Sequence, residues 1–79
     1  MKVNGYEVPP AVEAAVLERM QNGQEFRAGE LLDVAHSTNY GPHWMFERSI
    51  AVNRMIQRER KKNNIVVGAK SPYWVWRKS

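Results

Sequence analysis

A chain of 79 residues, 43% hydrophobic and 25% charged, has enough apolar side chain for one modest core, too much for a disordered polymer, and no room for a second domain. It contains no cysteine, which excludes a disulfide framework or a zinc finger as supports for that core. The net charge of +4 is unevenly placed: residues 1–40 carry three Lys/Arg against six Asp/Glu, or −3, whereas residues 41–79 carry nine against two, or +7. Such a split is expected when one face meets a polyanion and the remainder stays soluble without adhering to it; the plain alternative is a solvated basic helix end. Neither a secretion signal near Met1 nor a bilayer-spanning run is visible, so the cytoplasm is the expected location and no membrane partner is expected.

Val3 to Val8 alternates weakly about Asn4-Gly5, a pair that tolerates the positive φ of a tight turn, and reads as a short extended arm. Pro9 and Pro10 hold φ near the helical value where missing amide donors cost nothing. Val12, Ala15, Val16 and Met20 then recur at helical spacing, which predicts helix 1 over about residues 10–21. Asn22-Gly23 ends it, since glycine enters a left-handed cap without a Cβ penalty. Gln24 to Arg27 is too short for a helix and carries one large apolar side chain, Phe26, so it reads as a single short strand. Ala28 to His36 sets Leu31, Leu32 and Ala35 on one side with Glu30 in the first turn, which predicts helix 2. Ser37 to Pro42 is dense in turn formers, and Pro42 suits the first position of another helix.

Helix 3 is expected over about residues 42–62, roughly 30 Å long at 1.5 Å per residue. On a wheel, Trp44, Met45, Ala51, Val52, Met55 and Ile56 fall within about 140° of one another, a core-facing stripe. The opposite side carries His43, Glu47, Asn53 and Arg54, then Gln57, Arg58, Arg60 and Lys61. Phe46 and Ile50 interrupt it, which assigns them either beneath the arm or to a contact with a second chain. After Asn63-Asn64 the period changes: Ile65 to Val67 reads as a strand, Gly68 to Pro72 as a loop, and Tyr73 to Trp76 as a second strand, together an antiparallel hairpin. Leu31, Val52, Ile56 and Val67 are expected to share one core.

The order is helix, short strand, helix, tight turn, helix, hairpin. Carried by Phe26 to Leu32, Val52 to Ile56, Ile65 to Val67 and Tyr73 to Trp76, it makes residues 10–77 resemble the winged helix-turn-helix superfamily of DNA-binding domains, of the small bacterial or phage type. The resemblance implies an α+β fold: a three-helix winged helix-turn-helix with a C-terminal β-hairpin wing, one domain over residues 1–79 with an extended arm of about residues 1–9. It also implies that helix 3 enters the major groove of double-stranded DNA while the wing tip touches the backbone or an adjacent groove. Three features depart from the family: Arg27 and Ala28 stand where Ser or Thr commonly caps helix 2, helix 3 is longer than usual, and Glu47 on its outward side repels phosphate.

The residue types suit that chemistry, since Asn and Gln pair with adenine and Arg with guanine, while Lys and Arg neutralise phosphate. A base contact is therefore expected from at least one of Asn53, Arg54, Gln57 and Arg58, the plain alternative being that they only keep the surface soluble. Phosphate contacts are expected from Lys61 and Lys62 at the helix end, Lys70 on the wing, and Arg77 with Lys78 in the tail. Asn39 and His43 flank the turn before helix 3, where a side chain or a helix amino terminus grips phosphate; capping helix 3 is the structural alternative for Thr38 and Asn39. Trp74 and Trp76 have a stacking role open to them on unpaired bases, but alternation along a strand makes at least one of them core.

Two histidines seven apart without a cysteine give no metal-ligand pattern, and no nucleophile triad, glycine-rich phosphate loop or acidic pair appears. Neither enzymatic activity nor a cofactor is expected. The leading expectation is a small transcriptional or phage-type regulator reading duplex DNA with helix 3 and a basic wing. The alternative is a protein-interaction module on the same scaffold within a nucleoprotein complex, docking a partner or a second copy through Phe46, Ile50 and Trp44.

Overall fold

The computed structural model describes residues 1–38, 44–70 and 72–77. Two short strands, β1 (Lys2–Val3) and β2 (Tyr6–Glu7), pair antiparallel with Val3 opposite Tyr6. Asn4 and Gly5 turn the chain between them with φ of 50° and 80°, the left-handed pair that matches the twist of a two-residue hairpin. The arm is therefore a hairpin folded onto the body. Val3 and Val8 are fully buried, and the Tyr6 ring stacks on Trp44 at 5.6 Å.

Helix α1 (Pro10–Gln21) has the expected bounds, with proline in its first turn and Val12, Val16 and Met20 facing inward. Gly23, at φ 92°, carries the chain out of the helix, and Phe26 then exchanges both backbone hydrogen bonds with Trp74. Helix α2 (Ala28–Thr38) buries Leu31 and Ala35. It runs two residues past the expected end at His36, because the Ser37 and Thr38 hydroxyls donate back to the Asp33 and Val34 carbonyls instead of opening a turn.

Helix α3 (Met45–Lys61) presents Ala51, Val52, Met55, Ile56 and Glu59 to the core. Strands β3 (Ile65–Val67) and β4 (Trp74–Trp76) form the closing hairpin with Ile65 opposite Trp76 and Val67 opposite Trp74. Phe26 lies along the other edge of β4, so β4 runs between Phe26 and β3. The molecule is thus an α+β fold of three helices and two antiparallel hairpins, with α2 packed between contacts to α1 and α3.

Leu31, Val52 and Ile56 are buried as expected, but Val67 is 60% exposed. It shares a strand face with buried Ile65, but β4 is the strand that bridges Phe26 and packs against the core, while Val67 lies at the end of the outer strand β3. Met45 is 55% exposed rather than core-facing, and the fully buried Trp44, stacked on Tyr6, fills that end of the core instead. Trp44 is accordingly removed from any docking patch. The buried carboxylate of Glu59 accepts hydrogen bonds from Asn64 Nδ2 at 2.8 Å and Arg58 Nε at 3.3 Å, which lets a charged residue occupy the inward face of α3.

Candidate nucleic-acid interface

Because Val52 and Ile56 anchor α3 to the core, a turn of about 100° per residue places Phe46, Ile50, Asn53, Arg54, Gln57 and Lys61 along one outward ridge. From Ile50 to Lys61 this ridge borders a shallow open groove. On one flank stands the β1–β2 hairpin, whose Lys2 carbonyl accepts a hydrogen bond from Arg54 Nη1 at 3.1 Å. That bond leaves the rest of the Arg54 guanidinium fork, on an exposed side chain, for another acceptor.

On the other flank a second groove runs between α3, the start of α2 and the closing hairpin, lined by Arg27, Gly29, Asn53, Gln57, Pro72 and Trp74. Asn53 and Gln57 border both grooves, so their amides crown the ridge. Lys70 is exposed in the hairpin loop, two residues before the Pro72 that lines this second groove. The loop is held there by Glu25, whose carboxylate accepts the Ala69 N–H at 2.6 Å. A side chain at position 68 would meet that same carboxylate, so glycine there lets the strap close.

The basic side chains divide into engaged and open ones. Arg58 borders the ridge groove, but its guanidinium turns toward α1, 3.8 Å from Glu13 and 3.3 Å from Glu59. Arg60 donates to Gln57 Oε1 at 2.9 Å, which leaves the Gln57 amide N–H groups pointing elsewhere. Lys61, Lys62 and Lys70 are exposed, and their side chains make no hydrogen bond or ion pair among the described residues. Arg77 is tied through its backbone to Asn64 at 2.8 Å, close to the C-terminal end of α3. The fold therefore gathers Lys61, Lys62 and Arg77 at the base of the hairpin and sends Lys70 to its tip. Asn39, His43 and Lys78 lie outside the described residues.

Many of the acidic groups are committed to pairs: Glu30 binds Arg19 at 2.8 Å, and Glu7 and Glu13 flank the Met1 amino group at 3.2 and 3.1 Å. That amino group is held above its ordinary value, chiefly by the hydrogen bond to Glu13 and next by that to Glu7. Trp74 and Trp76 are partly buried and pack against the core.

Two contributors escaped the sequence reading. Arg27 occupies the residue before α2, where its side chain has no acceptor with which to cap the helix; it lies instead over the Tyr73 ring at 5.9 Å and lines the second groove. The signal was present as a cation at a cap position. Glu25 escaped because nothing local marks a carboxylate that grips a loop 44 residues away.

Among the described residues no cluster of three or more His, Cys, Asp or Glu is placed to hold a metal, and no helix is long and apolar enough to cross a membrane. Comparison of the chain with protein-family models, with curated proteins and with solved structures found no match.

Proposed function

We propose that this chain is a winged helix-turn-helix module that binds double-stranded DNA, with the outward ridge of α3 in the major groove and the β3–β4 hairpin as the wing against the backbone. One observation carries the reading: Asn53, Arg54, Gln57 and Lys61 share one exposed ridge, flanked by a hairpin whose loop bears Lys70. Amide and guanidinium groups on such a ridge match the donor and acceptor pattern of base edges, and the lysines match phosphate. Glu7, Glu13, Glu30 and Glu59 support it by their commitment to the Met1 amine, Arg19 and Arg58, since carboxylates paired in this way repel a polyanion less, whereas Glu47 on α3 has no such pair among the described residues. A small transcriptional or phage-type regulator is the role that fits a module of this size. Arg58 contributes by orienting α1 against α3 and not by reading bases, because its guanidinium is already in two ion pairs.

The test is titration of a labelled duplex with the full chain at several salt concentrations. Log affinity should fall linearly with log salt, by about 0.9 per phosphate neutralised. Absence of duplex binding at low salt would contradict the proposal. A protein-interaction module is the second reading, favoured by the 67% exposure of Phe46; it predicts salt-insensitive self-association or partner capture that Phe46→Ala abolishes.

A further inference from the structure

Phosphate and hydrogen-bond chemistry leave the amino-terminal end of the ridge without a task. Phe46 is 67% exposed in the first turn of α3, and Ile50, one turn on, is partly buried against the core and borders the groove along the same ridge. The ridge therefore runs from apolar at Phe46 and Ile50, through amides at Asn53 and Gln57, to a cation at Lys61.

Its size and charge narrow what covers it. Hiding one aromatic side chain buries about 150–250 Å², whereas a stable protein contact takes roughly 800 Å² from each partner. A second copy of this chain would bring a further net charge of +4 to a ridge that already carries Arg54 and Lys61. The complementary surface is a polyanion that also carries small apolar groups. In the major groove of a duplex that group is the thymine 5-methyl.

We infer that Phe46, backed by Ile50, reads thymine 5-methyl groups. The inference rests on the DNA-binding reading and deepens it by specifying the duplex. Phe46 precedes Asn53 by seven residues, about 10 Å along the helix axis, which is about three base steps at roughly 3.4 Å each. The preferred site then carries thymine about three base pairs from the adenine or other base that Asn53 and Gln57 engage.

The test uses the full chain and duplexes selected from a randomised pool. The best duplex is remade with deoxyuridine for every thymidine, which removes the methyl groups and keeps the pairing. The wild-type chain should lose about fourfold in affinity per methyl read, and Phe46→Ala should bind both duplexes equally. Phe46 is exposed, so the variant should unfold at the wild-type temperature, and that is checked. Equal wild-type binding to both duplexes overturns methyl reading and leaves the DNA-binding reading intact. So does an identical loss in Phe46→Ala, because another residue would then sense the methyls. If no duplex binds even at low salt, the DNA-binding reading fails and takes this inference with it.

Discussion

The guanidinium of Arg58 bridges two carboxylates on different helices, lying 3.8 Å from Glu13 on α1 and 3.3 Å from Glu59 beside it on α3. Removing it leaves the buried Glu59 with Asn64 but without a counter-charge. Since Arg58 is itself 39% exposed, solvent screens part of the effect. Arg58→Ala should destabilise the fold by about 1 kcal/mol in urea unfolding. Its effect on duplex affinity should be smaller than that of Lys61→Ala once the folded fraction is accounted for. A larger loss of affinity with unchanged stability would place Arg58 in the interface.

Ile56 and Val67 separate the core from the closing hairpin. Ile56 is 3% exposed and Val67 60%. Ile56→Ala should lower unfolding free energy by about 2 to 5 kcal/mol, enough to unfold a marginal domain. Val67→Ala should stay within about 0.5 kcal/mol. Equal urea midpoints for the two variants would contradict the register of α3.

The Met1 amino group, raised above 8.0 by Glu13 and then Glu7, links stability to alkaline pH. A cation favoured by folding contributes fully below its unfolded value of 8.0 and loses that contribution as pH rises through the higher folded value. Thermal midpoints should therefore decline above pH 8.0, and a chain acetylated on Met1 should lack that part of the decline. Parallel pH profiles for the two chains would show that the amine pair does not stabilise the fold.

Affinity and specificity should separate by residue. Lys61→Ala and Lys70→Ala should each reduce the slope of log affinity against log salt by about 1, with similar losses on every sequence. Arg54→Ala should cost about 1 to 3 kcal/mol on a preferred site and little on random duplex. Uniform weakening by Arg54→Ala across sequences would remove it from base reading.

Helix α1 was legible to the residue because Pro10 and Gly23 punctuate a regular apolar period. The inward stripe of α3 was legible for the same reason, but Glu59 was not, since its burial depends on Asn64 and Arg58 closing around it. Periodicity also could not tell where a strand outruns the core, so Val67 was misplaced, and it assigned Met45 to an end of the core that Trp44 occupies. Within the candidate site, the outward placement of Asn53, Arg54 and Gln57 followed from the helix period alone. The diversion of Arg58 to Glu13 and the strap from Glu25 to Ala69 are long-range contacts that no local pattern encodes.

Whether the outward ridge of α3 and the hairpin loop meet duplex DNA can be read by mapping backbone amide shifts while a duplex is titrated into the isotope-labelled chain. Perturbations should concentrate at residues 50–61 of α3, at Arg27 to Gly29 and at the hairpin loop around Lys70, with the outer face of α1 around Glu18 unmoved. Perturbations confined to α1, or none at low salt, would contradict that contact.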